Sequence, residues 1–74
     1  MMPTFTIRYC QLWNYLPEAT RLVEEIAQSA EYGSQDFHLI PGNNGEFTLW
    51  KDDEKIYDKG SDDFPSASDV MHLL

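Results

Sequence analysis

Cys10 and Trp13 are the residues on which chemistry can be argued in this chain. They lie in the stretch Tyr9-Cys10-Gln11-Leu12-Trp13-Asn14-Tyr15-Leu16-Pro17, between a β-type run and an amphipathic helical pattern. A thiol just ahead of a helix N-terminus can be held as a thiolate by the helix dipole and by free backbone N–H groups. The same cysteine buried at a strand end is a small, inert hydrophobe. Two features weigh against an activated thiol. Pro17 belongs in a first helical turn, so the regular helix starts several residues after Cys10. Arg8, the nearest cation in sequence, shares a side with Cys10 only if the strand runs on that far. Trp13 occupies the place where a second thiol would make C-x-x-C, which leaves C-x-x-W and no internal dithiol. Trp13 is either an anchor capping the core or an exposed aromatic at a partner surface.

Other reactive types are scattered. His38 sits in an apolar run and His72 near the C-terminal end, and their spacing with Cys10 matches no zinc motif. Asp52, Asp53, Glu54, Asp58, Asp62 and Asp63 do not follow the spacing of a calcium loop, so they read as solvated turns. Pro41-Gly42-Asn43-Asn44-Gly45 lacks a following Lys-Ser/Thr and makes a poor phosphate loop. No metal or cofactor is expected.

The elements that position Cys10 follow from periodicity. Phe5, Ile7 and Tyr9 alternate with Thr4, Thr6 and Arg8, which predicts a first strand, central because its second face carries threonines. Leu12, Leu16, Ala19, Val23, Ile26 and Ala30 step by four and three, which predicts one helical stripe, with the regular helix starting near Tyr15 or Leu16 and Gly33 as its terminator. Residues 36–40 read as a second strand, parallel to the first through a right-handed βαβ crossover. Residues 46–51 and 55–58 read as a hairpin turned at Asp52-Asp53, with Phe47 and Leu49 on one face and Thr48 and Trp50 on the other. A short helix opens at Ser66 or Ser68, with Asp69 in its first turn. The order β-α-β-β-β-α is an α+β two-layer fold, a four-stranded mixed sheet with two helices in a single domain over residues 1–74.

Composition bounds the function. The 74 residues carry a net charge of −8, with five Lys/Arg against 13 Asp/Glu. Scattered cations do not make a nucleic-acid footprint, and the charge repels anionic membranes. A single cysteine cannot form an internal disulfide, and neither a signal peptide nor a membrane-length apolar run is visible, so the cytoplasm is the expected compartment.

The quoted stretches resemble the selenoprotein W-related (Rdx) family, a small branch of thioredoxin-like folds. Its strand ends in Tyr-Cys-x-x-Cys or Tyr-Cys-x-x-selenocysteine and often continues x-Tyr-x-Pro into the helix. Pro41-Gly42-Asn43-Asn44-Gly45-Glu46-Phe47 resembles the family's loop and third strand, and Asp63-Phe64-Pro65 resembles its turn before the last helix. The resemblance implies thiol redox work, with Cys10 as redox thiol, Trp13 at the position of the second redox residue, and glutathione or thiol proteins as partners. Codon 13 bears on this: UGA, which encodes selenocysteine, and the cysteine codons UGU and UGC are each one base from UGG for tryptophan. Two functions follow. One is a thiol oxidoreductase, monothiol as the chain stands. The other is a redox-inactive interaction module with Leu12, Trp13 and Phe64 as its apolar contact patch. The accessibility of Cys10 separates them.

Overall fold

The computed structural model describes residues 3–29 and 36–74. Four strands, β1 (Phe5–Tyr9), β2 (Phe37–Pro41), β3 (Phe47–Lys51) and β4 (Glu54–Asp58), form one sheet in the order β2-β1-β3-β4. β1 is interior, as its sequence predicts. It runs parallel to β2, with Ile7 opposite Leu39, and antiparallel to β3, with Ile7 opposite Leu49. The helix α1 (Leu16–Ala27) connects β1 to β2, and a short helix α2 (Ala67–Val70) runs into a final 3₁₀ turn at Met71–Leu73. This is the thioredoxin-like α+β arrangement of a four-stranded mixed sheet and two helices.

Alternation sorts the sheet into two faces. Phe5, Ile7, Tyr9, Phe47 and Leu49 are buried. Ile7, Tyr9, Phe47 and Leu49 pack with Ala19, Leu22 and Ile26 of α1 and with Ala67 and Val70 of α2. Phe5 stacks on Phe37 at 5.3 Å between ring centroids. The second face carries Thr6, Arg8, Thr48 and Trp50, and a mixed sheet tolerates such a polar face. On it the Trp50 indole N–H donates to the Thr48 hydroxyl at 2.8 Å, and that hydroxyl donates to Glu46 at 2.7 Å. The chain through Trp50 and Glu46 is why Thr48 is buried although it faces away from the core. In β4, Lys55 opposes Trp50 and Tyr57 opposes Leu49, so Ile56 is the extra residue of a bulge. The bulge lets the adjacent Ile56 and Tyr57 both pack against the core, which strict alternation forbids.

The expected helical stripe needs correction. Ala19, Val23 and Ile26 face the core, but Leu16 is 42% exposed and Leu12 75%, while Leu22 is buried. Leu12 belongs to a turn over residues 11–14 that precedes the helix, so helical spacing does not apply to it. Counting it shifted the stripe by part of a turn. The helix starts at Leu16 with Pro17 in its first turn and ends at Ala27, where the Gln28 N–H is shared between the carbonyls of Glu24 and Glu25 and the Ser29 N–H donates to that of Ile26. The expectations for Ala30 and Gly33 lie outside the described residues. The strand bounds differ from expectation by one residue: β2 is shifted to Phe37–Pro41, β3 starts at Phe47 and β4 at Glu54.

Two ties hold the helices together. Arg21 pairs with Glu18 and Glu25 on its own helix and donates to the Pro65 carbonyl at 3.1 Å. Glu25 accepts the Ala67 N–H at 3.0 Å, at the first turn of α2. That backbone bond and the Arg21 guanidinium hold the Glu25 carboxyl below the usual carboxylate range. At the start of α2 the Ser66 N–H donates to the Asp69 carboxylate at 2.9 Å, half of a capping box.

Candidate functional site

The site is the turn that carries the chain from β1 into α1. β1 ends at Tyr9, and Cys10 follows it, fully buried and unpaired as a free thiol. The turn closes through two backbone bonds: the Asn14 N–H donates to the Gln11 carbonyl at 3.0 Å, and the Tyr15 N–H to the Cys10 carbonyl at 3.0 Å. Asn14 takes φ 59°, a left-handed conformation that asparagine tolerates better than most side chains. The folded turn brings the Trp13 backbone N–H to the Cys10 Sγ, at 3.3 Å. The donor at the sulfur is therefore a turn amide. The helix begins six positions after the cysteine, and Pro17 removes one of its first-turn N–H groups.

Arg8 does not serve the thiol. It lies on the polar sheet face, with its Nε 3.6 Å from the Glu46 carboxylate and its guanidinium 5.8 Å from the centre of the Trp50 ring. Glu46 also accepts the Asn43 N–H at 2.8 Å, and the Glu46 N–H returns to the Asn43 carbonyl at 3.0 Å. Burial pushes the Glu46 carboxyl up. The Asn43 N–H, the Thr48 hydroxyl and the Arg8 charge together outweigh it and hold the group below the usual carboxylate range. Glu46 thus fixes the loop between β2 and β3.

That loop supports Trp13. A methyl group added at Gly45, whose φ is +74°, would meet the indole at 3.0 Å, so the bare glycine backbone lies against the ring. The indole also makes an edge contact with Tyr15, at 5.9 Å between ring centroids. Tyr15 continues edge-to-face into Phe64 at 4.7 Å, and Phe64 into Phe47 at 5.2 Å. Lys59 is buried against these rings, its ammonium 4.9 Å from the Phe64 centroid and 5.7 Å from that of Tyr15. It donates to the Gly60 carbonyl at 3.3 Å, and the faces of the two rings meet its charge.

Cys10 and Trp13 are therefore brought together, with opposite fates. The sulfur is covered, while Trp13 is 58% exposed beside Leu12 and Leu16. Phe64, expected in the apolar patch, is half-buried and committed to Tyr15 and Phe47. His38 is exposed on β2 and His72 in the final turn. Sequence reasoning missed Leu16, assigned to the buried stripe, and the supporting roles of Gly45 and Lys59. A glycine ahead of a strand and a lysine just after one are the only signals, and neither is specific.

No helix among the described residues is long and apolar enough to cross a membrane. The chain is similar in structure to a Bordetella parapertussis protein, with a TM-score of 0.73 and 24% identity over 99% of this chain and 94% of that one. It is also similar to a selenoprotein W-related protein from Vibrio cholerae, with a TM-score of 0.80 and 19% identity over 99% and 92%. At these identities the likeness speaks for the fold. No curated protein matches the sequence. The model of the Rdx family matches residues 4–74, nearly the whole chain, and the protein belongs to that family.

Proposed function

We propose that this chain is a protein-docking module on the thioredoxin-like scaffold of its family, with the second redox position occupied by an exposed tryptophan. The burial contrast across one turn carries this reading: Cys10 has no exposed surface, whereas Trp13 is 58% and Leu12 75% exposed. Thiol–disulfide exchange requires one sulfur to approach another directly. Cys10 offers no such approach while the 11–14 turn is closed. A rigid aromatic with aliphatic neighbours, in contact with Gly45 and Tyr15, has the character of an interface anchor.

A second reading is monothiol redox chemistry, and the Trp13 N–H aimed at the sulfur favours it. In that reading the turn opens and the Cys10 thiolate attacks glutathione disulfide. A mixed disulfide forms and a glutathione thiolate leaves; an external thiol then resolves the adduct. A gene with UGA, UGU or UGC at codon 13 would return the natural protein to this class, with selenocysteine or cysteine joining Cys10 in an internal bond.

Incubation with glutathione disulfide followed by intact-mass measurement tests the choice. The docking reading expects no adduct on the folded chain and a full adduct on the unfolded one. An adduct forming on the folded chain as fast as on the unfolded one would put monothiol redox work in its place.

A further inference from the structure

The sheet has two edges, and the sequence treats them differently. β4 carries Glu54, Lys55 and Asp58 and is interrupted by the bulge at Ile56. Charge and a bulge are ordinary means of keeping an edge from pairing with another chain. β2, at the opposite edge, reads Phe37-His38-Leu39-Ile40-Pro41 and pairs with β1 in unbroken register. It has no Asp, Glu, Lys or Arg, in a chain with 13 acidic residues and a net charge of −8.

The backbone of β2 shows which groups it leaves open. The Phe5 N–H donates to the Asp36 carbonyl at 3.2 Å, and the Gly42 N–H to the Tyr9 carbonyl at 2.8 Å. Alternation along the strand therefore turns the backbone groups of Asp36, His38, Ile40 and Gly42 toward β1 and those of Phe37, Leu39 and Pro41 outward. Among the described residues, no backbone group from outside the sheet bonds to Phe37 or Leu39. Phe37 and Leu39 place their side chains against the core. His38 and Ile40 stand beside Thr6 and Arg8 on the polar face, where Ile40 is 46% exposed.

We infer that β2 pairs with β2 of a second copy, antiparallel about a twofold axis at Leu39, so that two sheets join into one. In that register the Leu39 N–H and carbonyl bond to their counterparts. The Phe37 N–H of each copy donates to the Pro41 carbonyl of the other, so the N–H that Pro41 lacks is needed only by the Phe37 carbonyl, at the end of the seam where water reaches it. His38 stands opposite Ile40 of the second copy and covers part of its exposed side chain. Asp36 stands opposite Gly42, so no carboxylate meets a carboxylate along the seam. Centring the pair on His38 instead would set Asp36 against Ile40.

The seam is narrower than a stable interface, so the dimer is weak and the test must reach about 1 mM chain. Sedimentation equilibrium is expected to show the average mass rising with concentration from 8.6 kDa toward twice that value. The Phe37 and Leu39 amides should gain protection from hydrogen exchange over the same range. His38→Glu with Ile40→Glu sets like charges opposite each other and should weaken association by about tenfold or more. His38→Lys with Ile40→Glu sets opposite charges there and should retain it. Both variants alter exposed side chains, and unchanged circular dichroism checks their fold. A monomer throughout the range would overturn the inference, as would association unaffected by the paired glutamates or lost in the Lys/Glu variant. A dimer that dissolves on Trp13→Ala would overturn it too, and would place the contact at the turn. The docking reading fails separately, through a glutathione adduct on the folded chain.

Discussion

The Trp13 backbone N–H donates to the Cys10 Sγ at 3.3 Å, while the indole of the same residue points to solvent. The turn thus brings the backbone of position 13 to the Cys10 sulfur. A cysteine at position 13 would stand on a turn already folded so that its backbone N–H meets the Cys10 sulfur. Trp13→Cys is expected to form an internal disulfide under mild oxidation, read as the loss of two hydrogens in intact mass and of both free thiols. Two persistent thiols, or a disulfide-linked dimer, would mean that the turn is not preset for that bond.

Leu16 and Leu22 test where the helix faces. Leu22→Ala removes a buried side chain and should cost about 2–5 kcal/mol of unfolding free energy. Leu16→Ala trims a side chain that is 42% exposed and should cost about 0.5 kcal/mol or less. Urea unfolding of the two variants measures the difference directly. Equal losses would restore the stripe read from spacing alone.

Glu46 makes stability depend on acid. Its carboxyl is held below the usual range in the folded chain, so its contribution is fully present above the unfolded carboxylate pKa and is lost as pH falls through the folded value. Glu25, Asp58 and Asp69 are depressed as well, chiefly by hydrogen bonds from Ala67, Lys55 and Ser66 respectively, and act in the same direction. Glu46→Ala leaves the Asn43 N–H and Arg8 without their acceptor and should cost about 1–3 kcal/mol at neutral pH. The variant should also show a shallower loss of stability between neutral and acid pH. Thermal melts across that range check both expectations.

Gly45→Ala should act at a distance in sequence. The left-handed backbone and the contact with the Trp13 ring both oppose a β-carbon, for a loss of about 1–2 kcal/mol. In a Trp50→Phe background, Trp13 emission should change with it. Unchanged emission would mean that the loop does not support the indole.

Much of the fold was legible because its signals are local. Alternation in Phe5–Tyr9 gave an interior strand, and Asp52-Asp53 gave the hairpin turn, where Asp52 takes φ 53°. Pro17 placed the helix start. The helix face was misread because Leu12 carries helical spacing from outside the helix. The bulge at Ile56 and the burial of Lys59 depend on contacts across the sheet, which no local pattern records. At the site, the sequence left both fates of Cys10 open. Cys10 is buried where the 11–14 turn folds back and sets the Trp13 N–H on its sulfur, a closure that no local pattern records.

The alkylation rate of Cys10 tests the account most directly, measured with iodoacetamide on the folded chain, on the chain in denaturant and on folded Trp13→Ala. A covered sulfur reacts only through opening of its turn, so the folded rate should fall at least about a hundredfold below the unfolded one. Trp13→Ala should recover part of that difference. Equal rates for the folded and unfolded chain would show an accessible thiol, and the docking account would give way to redox chemistry at Cys10.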